Sequence, residues 1–145
     1  MKFLVAIFLS LTLYSSGAVA QQDELLSPER AFAFSANITR PGVIEAVWTI
    51  ADGYYMYRDK FSFMARPDGP TIKTPFYPPG KVKQDALFGD VETYEQSVRI
   101  TLPFQSLAGD PGQFFLTAEG QGCNEPVGVC YPPVTRTVAL QLAAS

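Results

Sequence analysis

Val43-Ile44-Glu45-Ala46-Val47-Trp48-Thr49-Ile50 is the stretch that decides the fold. Ile44, Ala46, Trp48 and Ile50 share one face, and Val43, Glu45, Val47 and Thr49 share the other. That period of two belongs to a strand, not to a helix. Asp52-Gly53 follows at once, and both residues accept positive φ, so the pair predicts a hairpin with 54–63 as the return strand. The alternation recurs outward along the chain. Val98, Ile100 and Leu102 alternate with Ser97, Arg99 and Thr101. Phe114, Leu116 and Ala118 group together within 113–119. Val134, Arg136, Val138, Leu140 and Leu142 line one side of 134–142, and 31–36 supplies a first strand.

No segment keeps a helical period over three turns. Only Ser27-Pro28-Glu29-Arg30 can open a single turn, with Ser27 as cap and Pro28 at the first helical position. The twelve prolines and eleven glycines fall mostly between the strand candidates. Six or seven short strands, with no internal repeat and no linker, predict an all-β fold: an immunoglobulin-like antiparallel β-sandwich in a single domain.

The 145 residues carry 17% charged and 13% aromatic side chains, enough apolar bulk for a core. The absence of histidine excludes Ser-His-Asp and Cys-His catalysis and every zinc site that needs imidazole. Met1-Lys2, a mostly apolar run over 3–14 and Ala18-Val19-Ala20 predict a secretory signal peptide over 1–20, leaving a domain over 21–145 with its core at about 27–142. The apolar run is too short to span a bilayer, and no later stretch approaches ~20 apolar residues, so no membrane insertion is expected after cleavage. Losing Lys2 turns the formal net charge of −3 into −4, which argues against nucleic acid.

Cys123 and Cys130 are separated by six residues, Asn124-Glu125-Pro126-Val127-Gly128-Val129. In an exported chain with only two cysteines, a mutual disulfide with Cα atoms about 4.4–6.8 Å apart is the expected state. A ring this small stabilises by about 2–3 kcal/mol, less than a long-range bridge would. A short-loop pair among turn residues suits thiol–disulfide exchange, since an attacking thiolate must reach one sulfur in line. On the residues alone, a structural staple and a redox pair stand level. Tyr55 and Tyr57, two apart, point to one strand face and can either cover a disulfide or pack as ordinary sandwich aromatics.

Gly122-Cys123 with Gly128-Val129-Cys130-Tyr131-Pro132-Pro133 resembles the active-site segment of the N-terminal periplasmic domain of DsbD, the bacterial thiol:disulfide interchange protein. Ser27-Pro28-Glu29-Arg30-Ala31-Phe32-Ala33-Phe34 is similar to that family's opening segment. Trp48-Thr49-Ile50-Ala51-Asp52-Gly53-Tyr54-Tyr55-Met56-Tyr57-Arg58 is similar to its hairpin. Asp85-Ala86-Leu87-Phe88-Gly89, with Glu92 and Tyr94, is similar to its cap loop.

The resemblance implies a redox pair in which Cys130 forms mixed disulfides and Cys123 resolves them. It assigns the active-site tyrosines to Tyr55 and Tyr57 and the acidic residue to Asp85. Leu87 and Phe88 of the cap, and Val129 and Tyr131 of the cysteine motif, are supporting residues. An aspartate beside a thiol would raise its pKa, because a negative neighbour disfavours thiolate. The signal peptide places the chain in the periplasm, and a monomer without cofactor or metal is expected. By the resemblance, such a domain relays electrons from a separate membrane reductase to oxidised thioredoxin-fold proteins. The loop between the cysteines is one residue longer than the family pattern, with Pro126 in its middle, and Leu87 stands where an aromatic is common. No transmembrane or thioredoxin-like segment follows before Ser145, so a stand-alone domain is expected. The competing readings are a non-catalytic immunoglobulin-like adaptor with a structural disulfide and, third, periplasmic metal handling with soft Cu(I) on Cys123 and Cys130.

Overall fold

The computed structural model describes residues 24–66, 68–110 and 112–142. The signal peptide expected over 1–20 lies outside them. The chain opens with a single helical turn, α1 (Pro28–Ala31), whose proline takes the first position, where its missing N–H costs nothing. Twelve strands follow among the described residues. They are β1 (Phe32–Arg40), β2 (Val43–Ile50), β3 (Tyr54–Tyr57), β4 (Ser62–Arg66), β5 (Thr71–Ile72), β6 (Lys81–Asp85), β7 (Gly89–Tyr94), β8 (Ser97–Gln105), β9 (Gln113–Gly120), β10 (Gly122–Asn124), β11 (Val129–Cys130) and β12 (Val134–Gln141).

They form three antiparallel sheets, ordered β1-β2-β8-β5, β12-β9-β4 and β11-β10-β3-β7-β6. The first two face one another across the main core, giving the expected immunoglobulin-like sandwich. Alternation supplies that core: Ile44, Ala46, Trp48 and Ile50 of β2, Val98, Ile100 and Leu102 of β8, and Phe114, Leu116 and Ala118 of β9 are all buried. Each large side chain so buried contributes roughly 1.5–3 kcal/mol. Aromatic contacts cross between the layers, Phe34 to Phe63 at 6.5 Å and Phe104 to Phe114 at 6.3 Å.

The twelve described strands exceed the six or seven expected, and the structure corrects two further expectations. Asp52-Gly53 does not close a hairpin. Both edges of β2 are taken, by β1 and β8, so the turn sends the chain into the five-stranded sheet instead. Gly53 supplies the positive φ of 81° that the turn needs. The return strand expected over 54–63 is broken by a 3-10 turn at Arg58–Lys60, because β3 pairs with β10 and β7 while β4 pairs with β9. The β6–β7 hairpin was missed, since Lys81–Asp85 and Gly89–Tyr94 carry few apolar residues and little alternation.

These departures build the site. β3 is buried along its whole length. Tyr54 and Met56 face the main core, while Tyr55 and Tyr57 form a separate small cluster with Cys123 on the other face. Val91 of β7 packs against that cluster.

Candidate functional site

β10 lies between β3 and β11, so Cys123 stands opposite Tyr55 on one side and opposite Cys130 on the other. The two sulfurs are bonded, with Cα atoms 3.9 Å apart, closer than the 4.4–6.8 Å expected. The cause is register. Tyr131 N donates to Gly122 O, which makes Cys123–Cys130 a directly opposed, non-hydrogen-bonded pair, the closer of the two antiparallel spacings. The approach of β10 to β3 depends on Gly122: a Cβ there would lie 2.3 Å from Tyr55 O and 2.6 Å from the Phe32 ring.

The disulfide is asymmetric. Cys123 is 1% exposed, whereas Cys130, on the edge strand, is exposed. Tyr57 Oη lies 3.2 Å from Cys123 Sγ and 3.8 Å from Cys130 Sγ. The Tyr57 hydroxyl donates to Asp85 Oδ2 at 2.6 Å, and Tyr55 donates to the same oxygen at 3.3 Å. Asp85 Oδ1 accepts from the backbone N–H groups of Leu87 and Phe88 at 2.7 and 3.1 Å, which shapes the hairpin tip. Phe88 sets its ring edge-on to Tyr57 at 5.4 Å, and Lys60 Nζ sits 4.7 Å over the Phe88 ring. Leu87, at 72% exposure, projects from the tip.

The charges follow from these contacts. Burial, and then the carboxylate of Asp85, push the Tyr57 hydroxyl well above its ordinary pKa. The Tyr57 hydrogen bond leads in holding the Asp85 carboxyl below its ordinary value, with the Leu87 and Phe88 amides adding to it against the cost of burial. Tyr57 therefore commits its proton to Asp85 and turns a lone pair toward Cys123. In the reduced pair, a neutral Cys123 thiol can donate to that lone pair, and a thiolate is repelled by it. Asp85 touches neither sulfur directly among the described contacts. It acts through Tyr57, one bond further away than the sequence implied.

Asp85→Asn provides a test of this arrangement. A carboxyl whose folded pKa is depressed contributes stability above its unfolded value and loses it as pH falls through the folded one. The stability gap between the parent chain and Asp85→Asn, read from denaturant titrations, should be constant near neutrality. It should close as pH drops through 3.8 and below. A gap independent of pH would mean that the carboxylate is not held.

Tyr131 is no cap. Cys130 faces outward, and its neighbour turns inward by alternation. The Tyr131 ring packs edge-on to Phe32 at 5.5 Å, and its hydroxyl donates to Leu26 O at 2.6 Å. Burial, with help from Tyr54, pushes that hydroxyl up to about 12. Tyr131 thus anchors the strand that carries Cys130. Val129 shares Tyr131's side by alternation and is 38% exposed.

Three further residues at the site were not anticipated. Asn124 Oδ1 accepts from Val127 N at 2.9 Å and shapes the turn between the cysteines, a role that an asparagine opening a turn makes readable. Lys83 of β6 places Nζ 4.2 Å over the Tyr55 ring and pairs with Glu125, a partner 42 residues away that no local pattern reveals.

The family model described as "Thiol:disulfide interchange protein DsbD, N-terminal" matches residues 22–142. The chain belongs to the DsbD N-terminal domain family. It is 40% identical over 124 residues to the Thiol:disulfide interchange protein DsbD of Ralstonia nicotianae, covering 85% of this chain and 20% of that one. It is 35% identical over 135 residues to the DsbD of Neisseria meningitidis serogroup A, covering 92% and 22%. The chain thus spans about a fifth of the length of these DsbD relatives.

The crystal structure of the Neisseria meningitidis DsbD N-terminal domain in the reduced form matches with a TM-score of 0.71 at 33% identity, covering 81% of this chain and 90% of that one. A complex between the DsbD and PilB N-terminal domains from the same organism matches with a TM-score of 0.66 at 31% identity, covering 81% and 88%. Among the described residues, no helix of this DsbD N-terminal-like chain is long and apolar enough to cross a membrane.

Proposed function

We propose that the chain is a periplasmic thiol–disulfide exchange domain that reduces oxidised thioredoxin-fold proteins and is recharged by a separate membrane thiol reductase. The observation that carries this reading is the asymmetry of the disulfide, with one sulfur sealed under Tyr57 and the other open at a sheet edge. A staple has no need of that difference. Exchange requires it, because one sulfur must be reached in line while its mate waits.

The steps follow from the geometry. In the dithiol form, the Cys130 thiolate attacks one sulfur of the partner's disulfide. The partner's S–S bond breaks, and its second sulfur leaves as thiolate and takes up a proton. A mixed disulfide now joins Cys130 to the partner. Cys123 then loses its proton to water and attacks the Cys130 sulfur. The mixed bond breaks, and the partner's first sulfur leaves as thiolate and is protonated. Two electrons and two protons have passed to the partner, and Cys123–Cys130 is closed. Tyr57, backed by Asp85, favours the thiol form of Cys123 and so keeps the second sulfur in reserve. Tyr55 and Phe88 complete the cover, and Leu87, exposed at the rim, is placed to meet a partner.

The PilB N-terminal domain, the partner in the matched complex, sets the experimental frame. The reduced chain is equilibrated with an oxidised thioredoxin-fold protein, and the position of the disulfide is read by acid quench and alkylation. The disulfide should move to Cys123–Cys130. If it stays on the partner at every ratio, the adaptor reading replaces this one.

A further inference from the structure

β6 and β11 are the two opposite edges of the five-stranded sheet, yet charged side chains join them across its outer face. Lys83 of β6 pairs with Glu125 of the turn that links β10 to β11. The lysine is mostly sheltered, with 21% of its side chain exposed, because Nζ also lies over the Tyr55 ring at 4.2 Å. Glu125 is fixed from the other side: its backbone N–H donates to Gly53 O at 2.8 Å, and Pro126 of the same turn packs near Gly53. The pairing with Lys83 leads in holding the Glu125 carboxyl below its ordinary value. Lys83, Glu125, Leu87 and Cys130 line one cleft of about 290 Å³, so the ion pair stands in the same cleft as the exposed cysteine.

We propose that Lys83 and Glu125 form a latch that ties the cap hairpin to the turn between the cysteines and sets how fast an incoming sulfur reaches Cys130. Both are positioning residues: neither touches a sulfur among the described contacts. The latch limits access and leaves the chemistry of exchange unchanged. It gains its purpose from the exchange reading above, since a domain that carries electrons benefits from a slow reaction with small disulfides and thiols. A protein partner that inserts between β6 and the turn must part the pair. One offering an acidic group to Lys83 and a basic group to Glu125 recovers what the parting costs, whereas a small thiol offers neither.

The test uses the oxidised chain and dithiothreitol. The reductant's thiolate attacks Cys130, the Cys123–Cys130 bond breaks, and the second dithiothreitol sulfur closes the reductant's own ring as Cys130 is released. Rates are measured for the parent chain, Lys83→Gln, Glu125→Gln and the exchange variant Lys83→Glu/Glu125→Lys. Each single variant should be reduced faster, by about two- to fivefold, the range that a partly exposed ion pair can set. The exchange variant should return toward the parent rate. The parent rate should rise with salt and the single-variant rates should not.

A local field without a latch gives a different pattern. The attacking thiolate is negative, so removing Lys83 would slow it and removing Glu125 would speed it. Opposite signs for the two variants, or rates equal to the parent, would overturn the proposal. So would an exchange variant that behaves like the single ones. Thermal melts separate access from fold loss, since a latch variant keeps the parent melting temperature to within a few degrees. Because the probe is a small thiol, failure here leaves the exchange reading standing. Failure of disulfide transfer from a thioredoxin-fold protein leaves the latch standing.

Discussion

Cys123→Ser should accumulate a covalent adduct with an oxidised thioredoxin-fold protein, and Cys130→Ser should not. In the first variant the exposed Cys130 still attacks, but no second thiol is present to resolve the mixed disulfide, so the adduct persists until reductant is added. In the second, the remaining sulfur is 1% exposed and lies 3.2 Å from a hydroxyl that presents a lone pair. Burial and that lone pair both disfavour its thiolate, and the same cover blocks in-line approach. The yields on non-reducing gels should differ by about tenfold or more. Equal adduct from both variants would remove the division of labour between the sulfurs. Adduct from Cys130→Ser alone would reverse it.

Among the described glycines, Gly122→Ala should be the most damaging replacement by alanine. The new Cβ would meet the Tyr55 carbonyl at 2.3 Å and the Phe32 ring at 2.6 and 2.7 Å. The carbonyl cannot yield, because β10 pairs with β3 there, and Phe32 is fully buried against Tyr54 and Tyr131. Overpacking of this kind costs about 3 kcal/mol, a large share of the margin of a small domain. Either the domain melts at a much lower temperature, or β10 moves off β3 and carries Cys123 out from beneath Tyr57. In the second case the disulfide also becomes more reactive toward small thiols. Gly112→Ala is the control, since a Cβ there meets only the Gln141 side-chain nitrogen at 3.8 Å. A Gly122→Ala protein as stable as that control would contradict the packing described here.

The parts of the fold that were readable in advance are those where one strand face is buried and the other is wet. β2, β8, β9 and β12 all alternate, because the two sheets of the sandwich impose that condition on them. The pairing of Cys123 with Cys130 was readable from their being the two cysteines of an exported chain, and the shared face of Tyr55 and Tyr57 from their spacing. β3 was not legible as a separate strand, since its four residues are buried on both faces and it runs straight on from the turn after β2. β6 and β7 escaped because neither carries an apolar face with a period of two. Tyr131 looked like part of the cysteine motif, but one step along a strand reverses the side-chain direction and takes it into the aromatic cluster. The Lys83–Glu125 pair joins an edge strand to a turn 42 residues away across the sheet, which is a property of the folded sheet and not of any window of sequence.

The measurement that tests the central claim most directly is the reduction potential of the Cys123–Cys130 pair, read from its equilibrium with a thioredoxin-fold dithiol of known potential. An exchange-active pair must lie within reach of its partners, so the value should be less negative than about −300 mV. The edge position of Cys130 and the short turn between the cysteines both favour this outcome, since little of the fold depends on the bond remaining closed. A potential below about −300 mV, with a disulfide that the partner dithiol leaves intact, would make the pair a structural staple and contradict the account.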